Sequence, residues 1–191
     1  VMNLRIFNEN RWSMPAIAKS IIYATQNGAH GINFSFYTGY DSLIAATISW
    51  AHQQGVFFTG AAGNNNNEQA HFPLSHPDVM TVAATDSDDT KAFFSTYGTW
   101  VDISAPGRAI YTTNVQGSYT PQAGTSYASP LVLGAAAVLL SANPALSPEQ
   151  LQYYLKWGSD PIDHLNPTYA GKLGAGRLNL NRSLEIMCED F

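Results

Sequence analysis

One serine lies where a glycine-led turn runs into a long apolar segment, in the sequence Gly124-Thr125-Ser126-Tyr127-Ala128-Ser129-Pro130 and the run 131–140 that follows it. We expect the run to form a buried helix with Ser126 at its start. The first N–H groups of a helix have no intrahelical acceptor and carry partial positive charge. A serine hydroxyl there can attack a carbonyl carbon, and the nearby N–H groups can hold the resulting oxyanion. The pattern indicates acyl-transfer chemistry at Ser126.

Pro130 makes this helix start unusual. Proline has no N–H, so it cannot donate to the carbonyl four residues earlier, which is the carbonyl of Ser126. The sequence therefore predicts that this carbonyl is left free inside the first turns of the helix. Local departures from helix rules are typical of functional sites.

A second polar group is placed by the segment Thr59-Gly60-Ala61-Ala62-Gly63-Asn64. This segment ends an apolar run that we expect to be a parallel strand. Open α/β sheets bind their ligands at the carboxyl ends of such strands. The side-chain amide of Asn64 can there donate a further hydrogen bond to an oxyanion.

The order of predicted elements indicates the fold class. Apolar runs that read as strands alternate with segments of helical periodicity, which predicts an α/β protein with a doubly wound, mostly parallel sheet and helices on both faces. The predicted strands are 1–7, 31–36, 56–61, 79–85 and 100–105, and segments 109–113 and 118–120 predict a hairpin. The predicted helices are Met14–Gln26, capped by Ser13; 42–54, capped by Asp41 and with Leu43, Ala46 and Trp50 on its apolar face; the Ser126 helix; one capped by Ser147; and a short one after Asn179.

Composition narrows the possible partners. The chain has 191 residues, 45% of them hydrophobic, which is enough for the core of one domain. Its net charge of −5 gives no reason to expect nucleic acid or an anionic membrane as a partner. The apolar run 131–142 is shorter than the roughly 20 residues that cross a bilayer. A single cysteine, Cys188, excludes an intrachain disulfide. The low fraction of charged residues, 12%, is typical of a secreted or extracytoplasmic protein, and we expect that localisation although no signal sequence is present in this chain.

These motifs resemble those of the subtilisin-like serine proteases. The 124–130 segment is similar to the family's nucleophile motif, and 61–64 is similar to its oxyanion-hole motif. The resemblance continues through segments 32–35, 94–98, 101–107 and 171–179, in the family's order. It implies that Ser126 is the nucleophile of a serine endopeptidase acting on protein or peptide substrates, and that Asn64 stabilises the tetrahedral oxyanion. It also implies a substrate cleft formed by Ser35, Phe36, Tyr37, Ala61, Ala62, Gly63 and Thr125.

Two departures from the family pattern matter. Tyr37 stands where the family usually has glycine, on the rim of the pocket for the residue before the scissile bond. The family's aspartate and histidine motifs, which precede the serine, are both missing. The five histidines fall in other contexts, and we expect none of them to act as the general base: His30, His52, His71, His76 and His164.

We therefore expect residues 1–191 to be part of a peptidase domain, with N-terminal strands absent. The aspartate and histidine would lie upstream, on the N-terminal portion of the same protease, which would be a partner of this chain, as a propeptide would be. The chain alone would be inactive.

Two other interpretations remain open. Ser126 can simply cap a helix and Asn64 simply turn a loop, as both residue types often do. The chain can also be a pseudo-protease, a peptide-binding or scaffolding module that kept the cleft. The chemistry requires no cofactor; calcium at the acidic turn 86–89 is possible but cannot be assigned, because the ligand spacing of a recognised loop is missing.

Overall fold

The computed structural model describes residues 1–8 and 11–190. Its elements follow in chain order as β1 (Phe7–Asn8), β2 (Arg11–Trp12), α1 (Met14–Gln26), β3 (Gly31–Phe34), α2 (Ser42–Gln53), β4 (Phe57–Ala61), β5 (Met80–Thr85), β6 (Ile103–Pro106), β7 (Ile110–Thr113), β8 (Tyr119–Gln122), α3 (Thr125–Ala142), α4 (Pro148–Trp157) and α5 (Leu180–Glu189). Two short 3-10 helices, Asp163–Leu165 and Pro167–Tyr169, lie between α4 and α5.

A parallel sheet with the strand order β3-β4-β5-β6 forms the centre of the fold. Helices α1 and α2 pack on one face, in a cluster that includes Phe58 of β4. Helices α3, α4 and α5 pack on the other face, in a cluster that includes the preceding residue, Phe57. Neighbouring side chains separate in this way because they point to opposite faces of a strand. The predicted doubly wound fold with helices on both faces is confirmed.

Helix α3 is the central helix of the second face. It is the one helix among the described residues that is long and apolar enough to cross a bilayer, with 18 residues. It instead buries Ala128, Val132, Ala135 and Leu139 against the sheet. This packing agrees with the prediction of a core helix.

The predicted helix caps are confirmed. The side chain of Ser13 accepts a hydrogen bond from the N–H of Ala16, and Asp41 accepts one from Ile44. Ser147 forms a reciprocal capping box with Gln150. The predicted hairpin is also present, as β7 paired antiparallel with β8. Each cap supplies a local acceptor to an otherwise unpaired N–H group, so these boundaries depend on neighbouring residues alone.

Three element predictions were wrong in part. Residues 1–6 form no strand. An apolar run forms a strand only where it pairs with another strand, and a groove separates these residues from the edge of β3. Helix α2 buries Ile44, Thr47, Ile48 and Ala51, whereas Leu43 is 52% exposed, so its buried face is turned by about one residue from the prediction. Strand β6 begins at Ile103, because Val101 closes a turn by donating to the carbonyl of Gly98.

A groove of about 640 Å³ runs along the outer edge of β3. It lies between this strand, α1 and residues 1–6, and its lining is mostly apolar, with Ile17, Ile21, Phe34 and Leu133 among the side chains. In the described part of the chain no strand pairs with this edge. An unpaired edge beside an apolar groove is a template for association with another strand.

We therefore predict that residues 1–191, expressed alone, self-associate through this edge. Ile32→Lys places a charge in the groove and should shift sedimentation profiles towards the monomer. Leu43→Lys adds the same charge at an exposed position of α2 and should leave self-association unchanged. A monomeric parent chain with a sharp cooperative melt would contradict the prediction.

Candidate active site

Ser126 is the second residue of α3, and the turn before it depends on Gly124. Gly124 is the N-cap residue of the helix and has φ 155°. Because it has no side chain, it forms no capping hydrogen bond. Positive φ angles of this kind favour glycine because a Cβ atom is disfavoured there. The N–H of Gly124 donates to the carbonyl of Gly107 at 2.8 Å, which ties the turn to the segment after β6. The half-buried Ser126 side chain is thereby carried to the carboxyl edge of the sheet.

Asn64, which follows β4, is held by the first residue of the same helix. Its Oδ1 accepts hydrogen bonds from the N–H and from the Oγ1 of Thr125, both at 2.9 Å. Thr125 Oγ1 in turn accepts from the N–H of Gly63 at 3.1 Å. Because both bonds use the oxygen of the amide, its Nδ2 group is turned away from Thr125, and it has no acceptor among the described residues. Asn64 and Ser126 line one cleft, and a free N–H donor there is able to donate to an anion bound in it.

One cleft of about 490 Å³ brings most of the predicted site residues together. Its predicted lining residues are Ser35, Phe36, Tyr37, Ala61, Gly63, Asn64, Thr125 and Ser126. Asn65 and Leu74 also line it and were not predicted; Leu74 follows a loop whose path the local sequence does not specify. Ala62 does not line the cleft, because its side chain is fully buried in the core with Ala83.

The carbonyl of Ser126 is not free, contrary to the prediction. The Ser35 hydroxyl donates to it at 3.2 Å. The sequence could not reveal this donor, because 91 positions separate the two residues. The donor that Pro130 lacks is therefore replaced by Ser35, the residue that directly follows β3.

A buried lysine forms hydrogen bonds to the loop that follows Asn64. Lys91 is only 8% exposed, and its Nζ donates to Asn66 Oδ1 at 2.8 Å and to the carbonyls of Ala92 and Ser95 at 3.0 Å. It also lies over the ring of Tyr169, at 4.7 Å from the centroid. Burial lowers the pKa of Lys91 to about 8. Lys91 was not predicted as a buried residue, since nothing in its local sequence distinguishes it from a surface lysine.

None of the five histidines lines the Ser126 cleft. His71 stacks on Tyr37 of the cleft lining at 4.4 Å between ring centroids, and its buried Nε2 has no partner in the described part of the chain. His52 pairs with Glu149 at 2.9 Å on the outside of the fold. Burial lowers the pKa of His76, which accepts from the N–H of Asp78 through Nδ1. His30 is exposed before β3, and His164 lies in the first 3-10 helix.

Each of the three aspartates in the acidic turn after β5 has a hydrogen-bond or ion-pair partner. Asp86 accepts from the N–H of Ser87 and pairs with Arg108, and both contacts lower its pKa, in that order of size. Asp88 bonds to Thr90, and Asp89 pairs with Arg177 at 2.9 Å. The described residues contain no group of three or more His, Cys, Asp or Glu side chains placed to hold a metal ion, so calcium stays unassigned.

The fold and this site define a class. A doubly wound sheet whose central helix begins with a serine, and in which this serine and an asparagine line one cleft, is a subtilisin-like arrangement of an α/β protein. The chain belongs to the subtilase family, whose family model matches residues 1–177.

Individual relatives agree with this membership. Thermitase of Thermoactinomyces vulgaris is 36% identical over 141 residues, covering 73% of this chain and 50% of thermitase. Subtilisin BL of Lederbergia lenta is 34% identical over 168 residues, covering 87% of this chain and 62% of subtilisin BL. Among solved structures, the patellamide maturation protease PatA has a TM-score of 0.87 at 30% identity, covering 96% of this chain and 73% of PatA. The chain thus spans about half the length of the curated relatives it matches.

Lys91 makes the stability of the site dependent on pH. Its pKa is about 8 in the folded chain and 10.5 in the unfolded one, so between these values the unfolded state binds more protons. The Lys91 contribution to the free energy of unfolding therefore rises with pH across this window, by at most about 1.4 kcal/mol per pH unit. Below about pH 8 both states are protonated, and the contribution is constant.

We predict a steeper rise in unfolding free energy for the parent than for Lys91→Met between pH 8 and 10.5, measured by urea denaturation. The exposed Lys19→Met variant is the control and should match the parent slope. Equal slopes for the parent and Lys91→Met would contradict the assignment.

Proposed function

We propose that this chain carries the nucleophile and the oxyanion site of a serine endopeptidase. The observation that supports it best is the pair of hydrogen bonds from Thr125 to Asn64 Oδ1, at 2.9 Å each. They direct the free amide N–H of Asn64 into the cleft that Ser126 also lines. Membership of the subtilase family supports the same function.

The proposed reaction begins when Ser126 Oγ attacks the scissile carbonyl carbon and gives up its proton to a general base. The carbonyl oxygen becomes an oxyanion, which accepts from Asn64 Nδ2 and from the N–H of Ser126, an amide without an intrahelical acceptor. Collapse of this intermediate breaks the C–N bond, and the departing amine takes a proton from the protonated base. Water then hydrolyses the acyl-serine to release the second product and restore the hydroxyl.

The general base is proposed to come from outside residues 1–191. No histidine or carboxylate lines the Ser126 cleft within the described residues. The aligned relatives are about twice as long as the matched region, as for thermitase, of which 50% is covered. Residues 1–191 would then be inactive alone. The reaction needs no cofactor.

Substrates are proposed to be proteins or peptides that lie along Ser35 and Phe36 as an added strand. The likeness to a patellamide maturation protease supports peptide substrates in particular. The low fraction of charged residues, 12%, supports a site of action outside the cytoplasm.

A second candidate function is a pseudo-protease that binds peptides in the same cleft. The missing histidine in the cleft favours it, whereas the free amide of Asn64 beside Ser126 favours catalysis.

Labelling with a fluorophosphonate probe distinguishes the two functions. In the protein expressed from its complete gene we expect covalent labelling that Ser126→Ala abolishes. Asn64→Ala should lower peptide turnover about 10²–10³-fold, because it removes a preorganised donor to the oxyanion. Asn27→Ala, at the exposed end of α1, is the control. A folded complete protein that does not react would favour the pseudo-protease.

Tyr37 should restrict the size of the side chain that precedes the scissile bond. It lines the cleft and is backed by the His71 ring at 4.4 Å. Tyr37→Gly should therefore raise kcat/KM for peptides with a large aromatic residue there by about tenfold relative to alanine peptides. Tyr40→Gly removes a more exposed ring, 76% accessible, outside the cleft lining and should keep the parent's preference. An unchanged preference in Tyr37→Gly would rule out this role.

A further inference from the structure

The Ser126 carbonyl is the one backbone acceptor of the nucleophile turn that the helix cannot serve. In a regular helix the N–H of residue 130 would donate to it, but Pro130 has none. The Ser35 hydroxyl fills this role at 3.2 Å. Ser35 follows β3 directly, so the nucleophile turn is anchored to the edge strand of the sheet.

The Ser35 hydroxyl is itself oriented by Asn33. Asn33 Nδ2 donates to Ser35 Oγ at 2.9 Å. A hydroxyl has a single proton, so an N–H donor on its oxygen leaves that proton free for the carbonyl of Ser126.

Two hydroxyls fix the amide of Asn33 in turn. Its Oδ1 accepts from Thr59 Oγ1 at 3.2 Å and from Ser129 Oγ at 2.7 Å, and both of these residues are fully buried. The reversed amide would accept the Ser35 proton through its oxygen and leave the Ser126 carbonyl without a donor. The hydrogen bonds therefore all run in one direction, from buried hydroxyls through Asn33 and Ser35 to the nucleophile turn.

We propose that Asn33 and Ser35 are positioning residues for Ser126, an inference that rests on the proposed function. The chain of bonds joins β3, β4 through Thr59, and α3 through Ser129. It holds the peptide unit of Ser126 while the neighbouring Asn64 bonds hold that of Thr125. Without it, the carbonyl loses its donor and the turn can shift Ser126 Oγ relative to Asn64 Nδ2. Because such shifts act on reacting atoms, the loss should fall on kcat more than on KM.

Pro130 provides a rescue test. Ser35→Ala removes the donor and should lower both kcat and the rate of fluorophosphonate labelling about tenfold in the protein expressed from its complete gene. Ser35→Ala combined with Pro130→Ala restores a helical N–H to the same carbonyl and should recover most of the rate. Ser141→Ala, which breaks another hydroxyl–carbonyl bond of α3, 2.7 Å long, is the matched control and should behave as the parent.

Asn33→Asp tests the direction of the bonds with little change in shape. The introduced carboxylate has no proton to donate, so it should draw the Ser35 proton away from Ser126 and lower the labelling rate. Protonation of the carboxyl restores a donor, so the ratio of variant to parent rate should rise as pH falls. A merely structural role for Asn33 predicts a ratio independent of pH.

Parent-like labelling by Ser35→Ala, or a folded double variant that fails to recover, would overturn the inference. A parent that does not label would instead refute the proposed protease function. The positioning bonds remain testable in that case, because Ser35→Ala should lower the urea midpoint and Pro130→Ala should restore it.

Discussion

The contact between Thr125 and Asn64 joins the two halves of the site. Thr125 begins the central helix and Asn64 follows the adjacent strand β4, and two hydrogen bonds of 2.9 Å link them. An asparagine amide can point its oxygen or its nitrogen at a given neighbour. Two donors on Thr125 select the oxygen, so the N–H group is turned away from Thr125. Whether Asn64 acts as a hydrogen-bond donor or acceptor in the site thus depends on which end of its amide is bonded to Thr125.

Several layers of the fold keep that contact in register. The apolar face of α3 packs on the sheet, and this packing fixes the position of Thr125 and Ser126 relative to the strands. Lys91 binds the Asn64 loop to the segment after β5, with carbonyl and amide oxygens around its ammonium group. Ser35 ties the next carbonyl of the helix to β3. Each support comes from a different part of the chain, so a shift of one element is resisted by the others.

The edge of β3 has two roles in this arrangement. The side chains of Asn33 and of Ser35, which directly follows β3, bond to α3 residues of the nucleophile turn, whereas the outer backbone edge of β3 borders the apolar groove. In the described part of the chain this outer edge pairs with no other strand. A segment that occupies the groove would therefore order the strand that positions Ser126, which couples completion of the sheet to completion of the site.

The caps and local motifs were predictable because they depend on neighbours in the sequence. Ser13, Asp41 and Ser147 cap their helices as expected, and the turn at Gly124 follows from the glycine itself. The direction in which α2 faces was not predictable, because Leu43 and Ile44 suit an apolar face equally well and packing against α1 decides between them. The same limit applies to residues 1–6, since a strand forms only where another strand offers it hydrogen bonds.

The sequence by itself determined the order of the central strands and helices, the family resemblance and the candidates Ser126 and Asn64, because each of these depends on a short contiguous motif. Only the tertiary structure decided which atoms face each other. The Ser35 hydroxyl reaches the Ser126 carbonyl across 91 positions, and Asn33 meets Ser129 across 96. Hydrogen bonds have short range, so partners so far apart in the chain are fixed only when packing of α3 on the sheet brings them within about 3 Å.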